Sequence, residues 1–534
     1  MSEAPTREAG TAKAPGGFHP GHNPFAIALT VTLATFMEVL DTSIANVALP
    51  HIAGDLAASE DQSTWVLTSY LVSNAVILPL GAWISRRIGR KRFYMICVAL
   101  FTGSSFLCGI APSLGWLIFF RVLQGAGGGG LAPSEQSILA DTFEPKMRGA
   151  AFAIYGMAVV VAPAIGPTLG GYITDHASWR WIFFLNVPVG ALSLFLTHRM
   201  VTDPPYLVLA RKKKGLPVDF IGLGLVVTAF GALQIALDKG QEDDWLGSHF
   251  IVWLLICSAT SLVCLVIWEL RTKHPVIDLR LLANRNFALC NLLLAMVGAV
   301  LFSSTVLLPQ FEQTLLGYSA SSAGMSLSPA GVFIMVLMPI VGFLVSRVAS
   351  RWLVAFGFVV TALGLAHMTN LDLGISFGTA VLWRTFQMAG LAFLFVPINT
   401  AAFVGLPPNK NDEASGILNL SRNIGGSVGI SLVTTLLARR SQMHQSILVK
   451  DLSALNPAFR QTADRLSAAL QHAGSGAADA ARLAQAAIYG MAQRQAVVLA
   501  YVDIFAILSF AAWCMVPVAL LLRKSDPRQE SAHE

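Results

Sequence analysis

The stretch FAIALTVTLATFMEVLDTSIANVALP, from Phe25 to Pro50, decides what kind of molecule this chain is. It is long enough to cross a hydrocarbon layer of about 30 Å as one helix, yet it carries Glu38 and Asp41 near its middle. A carboxylate at membrane depth costs roughly 2.5–3.5 kcal/mol, so it needs a partner, a water-filled cavity or a function. At about 100° per residue, Thr35, Glu38, Asp41, Thr42, Ala45 and Asn46 share one side of the helix, and the remaining surface is apolar. Such a stripe is expected to line a polar path between helices. Burial favours the neutral form of a carboxylate and a nearby cation favours the charged form, so Asp41 and Glu38 are candidates for taking up and releasing a proton or cation. A structural ion pair between helices is the competing reading.

Working outward, the same pattern fills the chain. Of 534 residues, 54% are hydrophobic and 12% charged, against about 25% charged in soluble proteins. The apolar surface is therefore expected to face a lipid bilayer. Apolar blocks recur at 65–83, 93–111, 114–139, 151–173, 182–198, 220–237, 250–268, 287–308, 323–345, 353–368, 375–401, 416–437 and 498–522, giving fourteen segments with the first. The formal charge of +6 does not point to nucleic acid, because the basic residues cluster in short loops on one side. Arg86, Arg87, Arg90, Lys91 and Arg92 follow segment 2; Arg199 and the run Arg211 to Lys214 follow segment 6; Arg271, Lys273, Arg280 and Arg285 follow segment 8. The opposite loops 51–64 and 370–374 have no Lys or Arg, which places both termini in the cytoplasm. Arg439 and Arg440 fit this poorly, at the outer end of segment 13. In the outer loop 438–497, the part from Ala477 to Gln495 is expected to form an amphipathic helix on the surface. The six cysteines fall inside apolar blocks without metal-ligand spacing and read as packing residues. Residues 1–24 lack the pattern of a cleavable leader, so segment 1 is expected to direct insertion.

An internal repeat organises the segments. Pro50 closes ANVALP and Pro309 closes STVLLP; GAWISRRIGR from Gly81 resembles GFLVSRVASR from Gly342. RVLQG from Arg121 resembles RTFQMAG from Arg384, and Gly166 corresponds to Gly429. The spacing stays within 259 to 263 residues. The fold expected is an all-α polytopic membrane protein with two parallel six-helix repeats and two inserted central helices. Its parts are a tail at 1–24, an N-terminal half at 25–199, a linker with two inserted helices at 200–270, a C-terminal half at 271–524 and a tail at 525–534.

Segments 4 and 5 add chemistry. Arg121, Gln124, Gly125 and Gly128 lie on one face of segment 4, and Glu135 is expected to return to it four turns on. Arginine stays charged, so by moving it can change a neighbouring carboxylate's hold on a proton. Residues Gly127 to Gly130 permit close packing; with no preceding strand and no GK[ST], they are not a phosphate loop. Segment 5, GMAVVVAPAIGPTLGGY, combines Pro163 and Pro167 with Gly156, Gly166, Gly170 and Gly171, a pattern suited to a rocking contact or to simple tight packing. The further cavity or substrate candidates are Thr42, Asn46, Gln124, Glu135, Arg384, Gln387, Asn399 and Asn419. Met296, Phe302, Met325, Met335 and Phe395 either line a promiscuous pocket or face lipid.

These motifs resemble those of the major facilitator superfamily: segment 5 its antiporter motif, RVLQGAGGGG its fourth-helix motif, and GAWISRRIGRK its loop motif. LDTSIANVALP, WRWIFFLNVPVG, ALDKGQEDDW and NLSRNIGGSVG resemble the fourteen-helix drug:proton antiporter branch of EmrB type. That resemblance implies proton-driven export of amphipathic toxic compounds across a bacterial inner membrane, with coupling on Asp41 and Arg121, beside which Glu38 stays a coupling candidate from the helix stripe alone. It implies conformational roles for Gly81, Arg86, Gly89, Arg90, Pro163, Gly166, Pro167, Gly170 and Gly171. It also implies a periplasmic adaptor and outer-membrane channel as partners. One position departs: Ser85 stands where the loop motif usually has an Asp that braces the contact between halves. No cofactor, metal or catalytic residue is expected. A dedicated exporter of a fatty acid, siderophore or phenolic acid is the alternative, and a membrane-embedded lipid-modifying enzyme a remote one.

Overall fold

A computed structural model describes residues 21–205, 207–208, 219–273, 275–453 and 455–523. The expected tails, except for residues 21–24, and the basic run Arg211 to Lys214 lie outside the described residues. The helices that build the fold are α1 (Pro24–Asp55), α2 (Trp65–Ile88), α3 (Arg90–Gly109), α4 (Leu114–Gly128), α5 (Leu131–Thr142), α6 (Arg148–His176) and α7 (Asn186–Met200). They continue with α8 (Phe220–Lys239), α9 (His249–Arg271), α10 (Arg285–Thr314), α11 (Ala320–Val345), α12 (Ser350–His367), α13 (Phe377–Ala402), α14 (Asn411–Leu448), α15 (Pro457–His472) and α16 (Ala477–Leu520).

Among the described residues, twelve helices are long and apolar enough to cross a membrane. Segments 4 and 13 are the two expected spans outside that set, each for a physical reason. Segment 4 is divided into α4 and α5 around Gly129 and Gly130. A Cβ on Gly127 would stand 2.6 Å from Phe101 N on α3, and one on Gly129 2.6 Å from Asn74 O on α2. The glycines thus let segment 4 wedge between two helices at the cost of helical continuity. Segment 13 lies within α14, where Asn419, Arg422, Asn423 and four glycines dilute the apolar residues. On α9, Trp253, Ile256, Val263 and Val266 are exposed, an apolar outer surface that only lipid can solvate well. Cys257 and Cys264 on α9 and Cys514 on α16 are exposed on such surfaces, so they are not core-packing residues as expected.

The repeats meet along matched seams. Helix α6 packs against α11, and α2 against α14, the same pairing with the repeats exchanged. Gln136 Nε2 donates to Asn399 Oδ1 at 3.0 Å, across a separation of 263 residues. That is the spacing between Arg121 and Arg384, and a residue that touches its own repeat counterpart lies on the axis relating the repeats. Helix α8 lies against both α2 and α14, with Ser427 Oγ donating to Gln234 Oε1 at 2.9 Å.

Far from the basic loops, α14 and α16 run on. Helix α16 has 44 residues, about 66 Å at 1.5 Å per residue, roughly twice the hydrocarbon thickness. The stretch from Ala477 to Gln495 is therefore the start of a spanning helix and not a separate surface helix, because its alanine-rich sequence has no proline before Val498 and the single Gly490 does not interrupt it. The amphipathic surface helix of this loop is instead α15, which packs on α16. The misfit arginines are accounted for in part: Arg440 Nη1 lies 3.4 Å from Asp503 Oδ2 on α16, beside His444 Nε2 at 2.9 Å.

Candidate functional site

Asp41 is buried, and three side chains converge on its carboxylate. Arg121 Nη1 lies 2.5 Å from Oδ2, while Gln124 Nε2 and Asn186 Nδ2 donate to Oδ1 at 3.0 Å and 2.6 Å. Arg121 also donates from Nη1 to Gln124 Oε1 at 2.8 Å and from Nε to Val66 O at 3.0 Å. Its guanidinium carbon stands 4.3 Å from the centre of the Tyr70 ring. A buried charge pair persists only where most of its hydrogen-bonding capacity is met, and here an amide, an asparagine and a backbone carbonyl meet it.

Helix α6 backs this centre. Pro167 has no N–H to give the Pro163 carbonyl, and Ser43 Oγ of α1 donates to it at 3.3 Å. A Cβ on Gly166 would stand 2.5 Å from Ser43 Cβ, and one on Gly170 2.9 Å from Ile44 Cγ2. Those two glycines therefore seat α1 within its own repeat. The contact between repeats is made by their neighbours: Gly171 faces Ser321, and Thr168 Oγ1 lies 2.8 Å from Ser328 Oγ, both on α11.

Glu38 and Glu135 form a second acidic group. Glu38 Oε1 accepts from Asn74 Nδ2 at 3.0 Å and Tyr70 OH at 3.3 Å. Glu135, fully buried, accepts from the Thr32 hydroxyl. Across the seam, Arg422 Nη1 of α14 donates to Tyr155 OH at 2.9 Å. Along the α1 stripe Thr35, Asp41 and Ala45 are buried and Glu38 and Thr42 half-buried, while Asn46, at its far end, is exposed. The polar surface therefore opens away from the basic loops.

The basic-loop end is shut. Ser85 Oγ donates to Asp412 Oδ2 at 2.9 Å, Arg90 Nε lies 2.7 Å from Asp412 Oδ1, and Arg86 Nη1 2.5 Å from Glu413 Oε1. Arg90 Nη1 also pairs with Asp141 at 2.5 Å, and Asn411 Nδ2 donates to Asp141 at 2.7 Å. Burial lowers the pKa of Lys410, yet Glu413 and Asp278 outweigh it and leave the ammonium above its ordinary value. Gly89, at φ 95°, makes the turn between α2 and α3 that brings Arg90 inward, and a Cβ on Gly81 would press 3.3 Å from the Phe93 ring. Deeper layers are neutral: Ser137 Oγ lies 2.7 Å from Ser415 Oγ, and Asn419 Nδ2 donates to Gln136 at 2.7 Å.

Comparison with known proteins agrees with this architecture. A family profile described as Major Facilitator Superfamily matches residues 31–430. The chain belongs to the Major Facilitator Superfamily. This facilitator is 38% identical over 430 residues to the multidrug export protein EmrB of Escherichia coli K12, covering 80% of this chain and 83% of that one. It is 37% identical over 444 residues to the fatty acid resistance protein FarB of Neisseria gonorrhoeae, covering 83% and 86%. It shares the fold of the proton:xylose symporter XylE at a TM-score of 0.59 and 14% identity, covering 96% of this chain and 99% of XylE. It is of the EmrB type, and a transporter, not an enzyme.

In this facilitator some expected residues meet and others do not. Asp41, Arg121 and Gln124 form one network, whereas Glu135 does not join it, because the break between α4 and α5 turns it toward Thr32. Asp41 itself faces α4 and not the opening. Thr42 donates to its own helix, at Val39 O 2.9 Å away. Asn399 and Asn419 lie fully buried in the shut contact, so they do not line an open cavity. Arg384 and Gln387 face α10 and reach Ser304. Met325 and Met335 are exposed on α11, whereas Phe395 is buried beside Tyr155. Asn186 and Arg422 are functional candidates absent from the expected set. Asn186 stands inside an apolar run, where the cost of a polar side chain is the signal that marks it, whereas Arg422 sits among Asn419, Ser421 and Asn423, where that signal is diluted.

Proposed function

We propose that this transporter exports amphipathic and hydrophobic compounds from the cytoplasm or inner leaflet by exchanging them for protons, with Asp41 as the coupling group. The observation that carries this reading is a buried carboxylate held by one arginine and two amides, beside a polar stripe open to one side while the other side is latched. Pairing with Arg121 favours the charged carboxylate; withdrawal of Arg121 favours the protonated acid. A movement of α1 against α4 within the N-terminal repeat, accompanying the rocking of the repeats, therefore takes up a proton, and its reversal releases one. One proton entering down 100 mV supplies roughly 2.3 kcal/mol, enough for about a fifty-fold gradient of a neutral solute.

The protein lies in the bacterial inner membrane with both termini in the cytoplasm, the side of the basic loops. The overshooting ends of α14 and α16 then stand in the periplasm. Exposed Ile447, Leu455 and Met491 there make a docking surface for a periplasmic adaptor that leads to an outer-membrane channel. The EmrB likeness supports broad export, and the FarB likeness supports a second reading, a dedicated exporter of an acidic metabolite such as a fatty acid. Purified protein in vesicles under an imposed pH gradient tests the scheme. Uphill movement of a fluorescent amphiphile, coupled to proton movement and abolished when a protonophore collapses the gradient, is the expected result; downhill equilibration alone contradicts the scheme.

A further inference from the structure

The two repeats hold the same cationic device with different counter-groups. In the N-terminal repeat, Arg121 and Gln124 grip Asp41 from 80 and 83 positions away. In the C-terminal repeat, Arg384 Nη1 and Gln387 Nε2 grip Ser304 Oγ, at 2.7 Å and 3.0 Å, from the same 80 and 83 positions. Arg384 adds a bond from Nη2 to Thr305 Oγ1 at 2.7 Å and one from Nη1 to Gln387 Oε1 at 2.8 Å. Every one of these partners is neutral. Among the described residues, no carboxylate stands within 4.0 Å of its guanidinium nitrogens. Glu312, further along α10, accepts instead from Ser326 Oγ at 2.7 Å.

Arg384 is 1% exposed, and its Nε has no hydrogen-bond partner among the described residues. A buried guanidinium with no anion in contact, Glu312 acting on it only from farther along α10, bears a desolvation cost that a matching ligand would offset. Thr305 is only half-buried, so the Nη2 side of the guanidinium is the one a ligand can reach by displacing a single hydroxyl. Bidentate pairing with a carboxylate is the geometry a guanidinium fork favours.

We propose that Arg384, Ser304, Thr305 and Gln387 form a seat for the carboxylate head of an acidic amphiphile, placed where the other repeat carries the built-in carboxylate Asp41. This deepens the export reading and rests on it, because the seat is taken to hold cargo. One repeat then handles the proton and the other the anionic end of the substrate.

The test compares binding of decanoate and its uncharged methyl ester to purified full-length protein. The native protein is expected to favour decanoate by about tenfold or more, the size of a charge-assisted hydrogen-bond pair. Arg384→Gln should bring the ratio close to one. Ser304→Asp is the second variant: it copies the Asp41–Arg121 pair, so it should fold at least as stably as the native chain while its resident carboxylate excludes decanoate. A folded Ser304→Asp protein that keeps the native preference overturns the proposal, as does a native protein without preference. Acetate competing as well as decanoate overturns the assignment to an amphiphile. Binding is read without transport, so a failure of proton-driven export would strike the export reading by itself.

Discussion

At the scale of single residues, the groups around Asp41 set how firmly its carboxylate is held. Asn186 supplies its shortest amide bond, 2.6 Å, and is itself held in place by a second bond to Ser105 Oγ at 2.9 Å. Asn186→Ala leaves Oδ1 with Gln124 alone. We expect a stability loss of about 1–3 kcal/mol, visible as a lower unfolding temperature in detergent, together with slower uphill transport. The α6 glycines allow a paired comparison. Gly166→Ala drives a Cβ to 2.5 Å from Ser43 Cβ, whereas Gly171→Ala meets nothing closer than 3.4 Å. The first should lower stability by about 1–3 kcal/mol through overpacking against α1, and the second should change it little. Equal unfolding temperatures for the two variants would count against α1 being seated on Gly166.

At the scale of elements, the latch between α2, α3 and α14 answers the departure at Ser85. The carboxylates are on the other side of the contact, as Asp412 and Glu413 in the first turn of α14, where the helix dipole also favours acids. Ser85 donates to Asp412, and Arg90 and Arg86 are the counter-charges of Asp412 and Glu413. Restoring the usual Asp in isolation should therefore weaken the shut end, because Ser85→Asp sets a carboxylate against Asp412. The exchange Ser85→Asp with Asp412→Ser should recover much of the loss. Spin labels placed across the end where Gly149 meets Gly342 would report this as a longer distance in the single variant and a shorter one in the double. A single variant that shortens the distance would show that Ser85 and Asp412 do not face each other when the latch is closed.

At the scale of the whole molecule, the sequence made the repeat, the membrane character and the Asp41–Arg121 pairing legible for a common reason. Charges and prolines within apolar runs are costly, so each one carries information about the fold. Asn186, a polar side chain within FFLNVPV, is marked by the same cost. What the sequence hid depends on rotation and continuity. One break at Gly129 and Gly130 redirected Glu135, and the absence of a break before Val498 turned an expected surface helix into the start of α16. Asn399 and Asn419 were expected to line a cavity, but only the conformation decides whether such residues line an opening or close a contact.

The most direct test of the central claim is proton-coupled transport by Asp41→Asn in proteoliposomes, measured beside the native protein. An amide does not take up or release a proton near neutral pH, yet it keeps the size of the side chain, and its one oxygen can still accept at one of the two positions, from Arg121 or from Gln124. The account predicts that the variant binds substrate and equilibrates it downhill, but neither accumulates it under an imposed pH gradient nor moves protons. Uphill accumulation with proton movement by the Asp41→Asn protein would contradict it.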